Sequence, residues 1–175
     1  MGYLTNPETN LSRSLRIEGY RRAHEEHGVT FDPALIITGV NSHAEEDYAN
    51  LSIALDRLLG LEQPPTVICT GNDKMALRLY GLLRERGLEI PGDISVAGYD
   101  DYTIISEQVN PPLTTVYLAY REIGIAAGQK LLRMIGGKGG QEGQEVISGP
   151  LVWRQSAASL DPAVGVFPKR RRRRE

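Results

Sequence analysis

The stretch GDISVAGYDD, residues 92–101, leads from a short apolar core directly into two adjacent carboxylates. Its core, residues 94–97, has the length and composition of a short strand that is buried on both faces. Gly98, Asp100 and Asp101 are typical of the turn that follows such a strand. The role of the two carboxylates therefore depends on what stands at the ends of the neighbouring strands.

Three further apolar runs precede this strand, and helical patterns separate them. The runs are residues 1–4, 34–37 and 66–69. Between them, apolar residues recur at helical spacing over residues 8–27, 42–60 and 72–87. This alternation predicts an α/β fold, in which a parallel sheet carries helices on both faces. Right-handed crossovers bring the carboxyl ends of the strands to one edge of the sheet, where ligands bind in such folds.

A second polar loop leaves the preceding strand at the same edge. It reads TGND, residues 70–73, and it opens a helix. Asn72 and Asp73 are both residue types that cap helix N-termini, so one of the two is expected to be a cap. We favour Asn72 as the residue that faces the ligand, because an amide both donates and accepts hydrogen bonds. Lys74 is expected on the outward side of the helix.

The last third of the chain is less regular. Residues 110–118, NPPLTTVYL, contain two prolines and are predicted to be an extended crossing segment. A helical pattern follows over residues 123–134, and the glycine-rich residues 136–143 predict a flexible turn. Residues 146–154 then return as a strand.

Composition excludes several classes of protein. Of the 175 residues, 41% are hydrophobic and 24% are charged, which is typical of a soluble globular protein. No run approaches the roughly 18 apolar residues of a membrane span, and no signal sequence stands at the start. The single cysteine, Cys69, cannot form an internal disulfide. We therefore expect a cytoplasmic protein that does not contact a membrane.

The basic residues are concentrated at one end of the chain. Residues 169–174 are all lysine or arginine, and Glu175 follows them. The rest of the chain has 14 basic and 21 acidic side chains, so it carries a net charge of about −7. An acidic body does not bind nucleic acid by charge alone. A charge run of this kind is predicted to be disordered.

Adjacent aspartates also occur in metal sites and in acid–base catalysis. No other ligand or nucleophile stands at a matching spacing, so we expect no metal, no cofactor and no enzymatic activity. His24 and His27 in HEEHG are three residues apart and do not form the zinc motif HExxH. They are expected at an exposed helix end.

Four motifs together resemble the effector-binding core of the LacI/GalR family of bacterial transcriptional regulators. They are GNDKMAL (71–77), LRERGLEIPGDISVAGYDD (83–101), PPLTTV (111–116) and LVWRQS (151–156). Their order and spacing fit the family from residue 11 to residue 159. The resemblance implies a periplasmic-binding-protein-like fold of type I, in which two α/β lobes clamp a small ligand.

The resemblance also implies a division of the chain. Residues 1–115 would form the C-terminal lobe, and residues 116–145 would be a crossing segment and a helix of the N-terminal lobe. Residues 146–159 would return to the C-terminal lobe, and residues 160–175 would be a disordered basic tail. The helix-turn-helix headpiece and most of the N-terminal lobe would be missing. Family members pair through the C-terminal lobe, so a homodimer is expected, with Leu77 and Tyr80 in its apolar patch. DNA would be contacted only through the headpiece.

Site residues follow from the family's motifs. The resemblance implies that Arg16, Asn72 and Asp100 contact the effector. Asn41 is expected to contact the effector from the position where members usually have an aromatic residue that stacks on it, and Tyr120 is expected to supply the missing ring. Asp73 and Asp101 are expected to cap a helix or shape a turn.

The expected function is that of a ligand-sensing module of a LacI-type regulator, with a small polar effector such as a sugar. The alternative is a periplasmic-type sugar-binding protein of a transport system, which would share the lobe fold. PPLTTV, residues 111–116, and the missing signal sequence favour the regulator.

Overall fold

A computed structural model describes residues 1–5, 11–37, 46–137 and 143–159. The elements follow the predicted alternation of strands and helices. In chain order they are β1 (Gly2–Leu4), α1 (Leu11–Glu26), a 3₁₀ turn (Pro33–Leu35), β2 (Ile36–Ile37), α2 (Glu46–Leu59), β3 (Val67–Thr70), α3 (Asp73–Glu85), β4 (Ser95–Ala97), α4 (Thr103–Ser106), β5 (Thr115–Val116), α5 (Tyr120–Ile135) and β6 (Leu151–Val152).

The first four strands form a parallel sheet in the order β2-β1-β3-β4. Tyr3 pairs with Ile36 on one side and with Cys69 on the other. The chain therefore moves outward in one direction through α1 and in the opposite direction through α2 and α3. With right-handed crossovers, α1 covers one face of the sheet while α2 and α3 cover the other. The predicted α/β fold is confirmed.

The main core lies between the sheet and the helices α2 and α3. It is built almost entirely from aliphatic side chains, among them Leu4, Leu55, Leu58, Ile68, Leu79, Leu83 and Val96. Tyr80 belongs to this core, because its ring is buried and its hydroxyl donates to the Pro111 carbonyl at 2.9 Å. The expectation that Tyr80 supplies an exposed patch is wrong, and Leu77 alone of that pair is exposed.

The opposite face of the sheet carries an aromatic cluster on α1. Tyr3 stacks on Tyr20 with ring centroids 5.5 Å apart, and Tyr20 contacts both His24 and Phe31. His24 is buried there and its Nδ1 lies 2.9 Å from the Tyr20 carbonyl. His27 is exposed, as expected for a helix end, whereas the expectation that His24 is exposed is wrong.

Helix α3 is fixed at both ends by local interactions. At its start, Asn72 Oδ1 accepts from the Met75 amide at 2.8 Å. At its end, Gly87 has φ of +68°, which a glycine adopts without strain. The Gly87 amide donates to Arg84 and the Leu88 amide donates to Leu83, which satisfies the last carbonyls of the helix. This helix is therefore a rigid support for the loop that precedes it.

The crossing segment extends the sheet beyond β4. Thr114 pairs with Ala97 and Tyr117 pairs with Asp100, both in parallel. On its other side, β5 pairs with β6 in an antiparallel arrangement, with Thr115 opposite Val152. The predicted extended segment and the returning strand are thus neighbours beside β4.

Helix α5 stands apart from the core. None of its residues, all of which lie within the described range 46–137, is buried against the rest of the described chain. Its assignment to a second lobe stays a prediction. The first residues of the helix predicted over 42–60, namely 42–45, and the tail of residues 160–175 lie outside the described residues.

Candidate functional site

Asp73 joins the two polar loops at the carboxyl ends of the strands. Its side chain is fully buried, and its Oδ1 accepts from the Thr115 hydroxyl at 2.7 Å while Oδ2 accepts from the Tyr102 amide at 2.8 Å. Its own amide donates to the Tyr99 carbonyl at 3.0 Å. Burial raises the pKa of Asp73, and the hydrogen bonds from Thr115 and Tyr102 oppose that shift. Asp73 therefore braces the loop after β4 against α3 and β5.

The helix cap falls to Asn72 and not to Asp73. Asp73 is the first residue of α3, and its carboxylate turns toward the loop after β4. Asn72 caps the helix and also lines the cleft described below. The prediction that Asp73 caps the helix is corrected accordingly, whereas its predicted role at a turn agrees with its bond to Tyr102.

Asp100 and Asp101 adopt a backbone conformation that is rare outside glycine. Their φ values are 122° and 51°. Such a conformation costs about 1–3 kcal/mol per residue and persists only where surrounding contacts offset that cost. The Asp100 amide donates to Val116 at 3.0 Å, and the Leu118 amide donates to the Asp100 carbonyl at 3.2 Å. These bonds hold the loop against the crossing segment.

Asp101 shapes the turn, as predicted. Its Oδ1 accepts from the hydroxyl of Ser106, the last residue of α4, at 3.0 Å, and the same atom lies 2.9 Å from Arg154 Nη1. Asp101 also lines the cleft. Sequence reasoning missed Arg154, because nothing local indicates a bond to a residue 53 positions earlier. Its place in the LVWRQS motif was the only signal.

These loops form one wall of a cleft of about 560 Å³. This volume lies within the range of roughly 300–1,000 Å³ that small-molecule sites occupy. The lining residues come from the start of α3, from the loop after β4, from the crossing segment and from the first turn of α5. They are Asn72, Lys74, Asp100, Asp101, Tyr102, Tyr117, Leu118, Tyr120 and Arg121.

Three of the predicted effector contacts, Asn72, Asp100 and Tyr120, meet in this cleft. Lys74 also lines it, so the expectation that Lys74 points outward is wrong. Lys74 is the second residue of α3, and the amino-terminal end of that helix faces the cleft. Sequence reasoning also missed Tyr102, Tyr117 and Arg121, which line the cleft. Their closeness in sequence to Asp101 and Tyr120 could have indicated them.

Asp100 is the most perturbed acid in the cleft. Burial, and secondarily the neighbouring Asp73, raises its pKa to about 6. Arg16 and Lys74 oppose this shift, so both cations act on the Asp100 carboxylate. The carboxylate therefore changes charge close to neutral pH.

Arg16 lies beside the cleft and outside its lining. Its Nη1 donates to the Gly71 carbonyl at 2.6 Å, and its guanidinium lies over the Tyr99 ring at 4.1 Å from the centroid. These contacts hold the side chain next to Asn72 and Asp100. An effector contact by Arg16 stays a prediction, and Asn41 lies outside the described residues.

No group of three or more His, Cys, Asp or Glu side chains in the described part of the chain is arranged to hold a metal ion. Likewise, no helix within the described ranges is long and apolar enough to cross a membrane.

Comparison with known proteins gives consistent matches. Residues 1–157 match the family described as a periplasmic binding protein-like domain. The HTH-type transcriptional repressor PurR of Vibrio atlanticus strain LGP32 is 43% identical over 120 residues, which are 69% of this chain and 34% of that protein. A putative transcriptional regulator of the LacI family from Rhizobium etli has a TM-score of 0.76 at 32% identity, over 90% of this chain and 56% of that one. A complex of the transcriptional regulator CelR with cellobiose has a TM-score of 0.76 at 25% identity, over 89% of this chain and 46% of that one.

The chain spans about a third of the length of PurR and about half of the two solved structures. These relatives are transcriptional regulators, which are not enzymes, and they do not favour the transport-protein alternative. The family match covers nearly the whole chain, including the four motifs. The chain therefore belongs to the LacI/GalR family of transcriptional regulators, as part of their periplasmic-binding-protein-like effector-binding domain.

Proposed function

We propose that this chain is the ligand-sensing part of a LacI-type regulator and that its cleft binds a small polyhydroxylated effector, a sugar or a related metabolite. The observation that carries the proposal is the position of Asp100. Its carboxylate lies at the carboxyl end of a parallel strand, in a cleft with three tyrosine rings. The CelR–cellobiose complex supports a sugar, because it is a relative of the same fold with a sugar bound.

The chemistry of the cleft suits hydroxyl groups. An ionised Asp100 accepts hydrogen bonds from two neighbouring hydroxyls, and charge-assisted bonds of this kind are about twice as strong as neutral ones. Asn72 offers an amide, which both donates and accepts. Tyr120 presents an exposed ring, and the apolar face of a sugar packs on such rings. We include Arg16 as a further donor, because its guanidinium acts on Asp100 electrostatically.

A single wall buries too little of a ligand for tight binding. Small-molecule sites bury about 70–90% of the ligand surface, and the described residues line only one wall of the cleft. We propose that residues 1–115 and 146–159 form one lobe and that residues 116–145 lead into a second lobe. The described chain alone is then expected to bind an effector with a Kd on the order of 1 mM, or about −4 kcal/mol.

Amide chemical-shift titration by NMR tests this, because it detects weak binding. The 175-residue chain is titrated with cellobiose, glucose, ribose and cytidine. A binding sugar is expected to shift the amides of residues 72–74, 99–102 and 117–121. Asp100→Asn should weaken that binding about ten- to a hundredfold, since a charged hydrogen bond contributes about 1.5–3 kcal/mol.

Glu62→Gln is the matched control. Glu62 is an exposed carboxylate in the loop before β3, at the opposite edge of the sheet, and its replacement should leave the titration unchanged. Shifts at residues outside the cleft, or equal affinities for the Asp100 and Glu62 variants, would contradict the proposed site.

We further propose that effector binding here controls DNA binding by another part of a longer regulator in the cytoplasm. The relative PurR is named as an HTH-type repressor, and this chain covers 34% of it. The acidic body of the chain disfavours nucleic acid. In a mobility-shift assay the chain should bind duplex DNA only without sequence preference. Selective binding that survives deletion of residues 169–174 would contradict this.

A further inference from the structure

We propose that Arg154 is a positioning residue: its ion pair with Asp101 holds the loop of residues 99–102 in the conformation that presents Asp100 to the cleft. The inference rests on the proposed function only in taking Asp100 as an effector contact. Arg154 does not line the cleft, so it acts through Asp101 and touches no ligand.

The guanidinium of Arg154 is well enclosed and contacts three acceptors. It lies 2.9 Å from Asp101 Oδ1, donates to the Leu113 carbonyl at 2.9 Å, and lies 3.6 Å from Glu107 Oε1. The exposed fractions of the Arg154 and Asp101 side chains are only 14% and 11%. An ion pair shielded to this degree is screened little by salt, unlike the exposed pairs on α1.

The backbone of Arg154 is itself fixed. Its amide donates to the Thr114 hydroxyl at 2.9 Å, and its carbonyl accepts from the same hydroxyl at 3.1 Å. Two residues later, the Ser156 hydroxyl donates to the Val96 carbonyl at 2.6 Å and accepts from the Thr114 amide at 2.8 Å. The side chain of Arg154 therefore starts from a segment anchored to β4, which makes it a rigid brace.

The loop that Arg154 contacts needs such a brace. Asp100 and Asp101 both have positive φ without being glycine, a conformation that relaxes when the enforcing contacts are removed. Asp73 holds the far end of the loop at Tyr102, and Val116 holds Asp100. Arg154 and Ser106 are the side chains that hold Asp101.

The ion pair also joins parts of the chain on either side of α5. Asp101 precedes that helix and Arg154 follows it on the returning segment. A displacement of the returning segment would move Arg154, and with it the loop that carries Asp100. The position of the effector-facing carboxylate is thus tied to the segment that comes back from α5.

The test reads the backbone of the loop directly and needs no effector. Scalar couplings and amide-to-Hα nuclear Overhauser effects report the sign of φ at Asp100 and Asp101 in the ¹⁵N-labelled 175-residue chain. The variants are Arg154→Gln and Arg154→Lys. Arg86→Gln is the matched control, because Arg86 likewise pairs with a carboxylate, Asp56, and donates to a carbonyl, that of Leu82, away from the cleft.

Arg154→Gln is expected to abolish the positive-φ signature at Asp101 and to shift the amides of residues 99–102. Arg86→Gln should leave them unchanged at a comparable loss of stability. Arg154→Lys should shift the same amides less, because an ammonium can reach Asp101 but does not reproduce the guanidinium fork. Unchanged loop signals in Arg154→Gln would overturn the proposal.

Two further outcomes are decisive. If Arg154→Gln does not fold, Arg154→Lys is compared with the control Arg86→Lys. Shifts of the loop amides in Arg154→Lys alone support the proposal. Equal shifts in both variants, or no shifts, overturn it. The sugar titration tests the proposed function independently of the loop measurement. If the chain binds none of the four compounds, the proposed function is contradicted and the loop measurement still stands. If Arg154→Gln leaves cellobiose binding unchanged, only the positioning role is contradicted.

Discussion

At the scale of single residues, Asp100 combines a strained backbone with a partly buried carboxylate. Glycine would relieve the strain at φ of 122°, but it would remove the carboxylate from the cleft. The surrounding hydrogen bonds to Val116 and from Leu118 compensate for this strain. Strain that the structure enforces at a cleft residue is a frequent property of binding sites.

The raised pKa of Asp100 predicts a pH-dependent effect on stability. Its pKa is about 6 in the folded chain against an ordinary 3.8, so folding favours the protonated form. The resulting stability is complete below pH 3.8 and is lost as the pH rises through 6. Asp100→Asn should therefore have a higher free energy of unfolding than the natural chain at pH 8, by about 1–2 kcal/mol because the carboxylate is only partly shielded from solvent, and a similar one at pH 4.

Urea unfolding at pH 4, 6 and 8 measures this difference. Glu62→Gln, at the exposed opposite edge, should follow the natural chain at all three values. A gain for Asp100→Asn that is the same at pH 4 and pH 8 would show that the Asp100 carboxylate is not desolvated in the fold.

At the scale of elements, α3 supports the site through its first turn. Asn72, Asp73 and Lys74 each perform a different task there: a cap, a buried brace and a cleft cation. The whole site therefore depends on how closely the start of α3 approaches the loop after β4.

Substitutions at Asn72 separate its cap from its effector contact. Asn72→Ser keeps an oxygen that can accept from the Met75 amide, so stability should change by less than about 0.5 kcal/mol. Asn72→Ala removes the cap and should cost about 1 kcal/mol. Both variants shorten the side chain and should weaken binding of the sugar found by titration. If Asn72→Ser binds the sugar as well as the natural chain does, Asn72 only caps the helix and does not contact the effector.

Gly98 allows β4 to pass against α3. A Cβ at this position would overlap Asp73 Oδ1 and lie 2.8 Å from Leu113 Cδ2. Gly98→Ala should therefore cost about 1–3 kcal/mol of stability in urea unfolding. Gly124→Ala is the control, because nothing lies within 4 Å of a Cβ there and alanine favours its helix. Equal effects of the two substitutions would mean that β4 moves away from α3 without loss.

At the scale of the whole molecule, α5 and the core are energetically separate. Leu132 and Ile135 on α5 are 70% and 75% exposed, whereas Leu79 of α3 is fully buried. Leu132→Glu should change the unfolding free energy by less than about 0.5 kcal/mol. Leu79→Ala should cost about 2–5 kcal/mol. A loss at Leu132 comparable to that at Leu79 would show that another surface covers α5 in solution.

We also expect the chain to pair with a second copy through the proposed lobe of residues 1–115. Leu77 is an exposed leucine on the otherwise well-packed α3 and is the natural position for a test. Sedimentation equilibrium at tens of micromolar should give twice the 19.3 kDa mass of the chain, and Leu77→Glu should shift it toward the monomer. A monomer for the natural chain would contradict this expectation.

The α/β fold, the edge that carries the site and most of the helix limits could be predicted from the amino-acid sequence. Each of these depends on neighbours within about four residues: the apolar period, the cap type at Asn72 and the glycine at 87. The polar ends of β3 and β4 meet because parallel strands with right-handed crossovers must end at one edge. The cleft residues Asn72 and Asp100 were therefore accessible to sequence reasoning, whereas Tyr120 was expected only from the family resemblance.

The division of tasks between two similar neighbouring residues depends on contacts that form only in the folded chain. Asn72 caps α3 while Asp73 turns to Thr115, 42 positions away, and Asp101 pairs with Arg154. Lys74 enters the cleft and Tyr80 enters the core for the same reason. The direction of these side chains depends on packing between elements that are distant in the sequence, and the local pattern of residues carries no record of that packing.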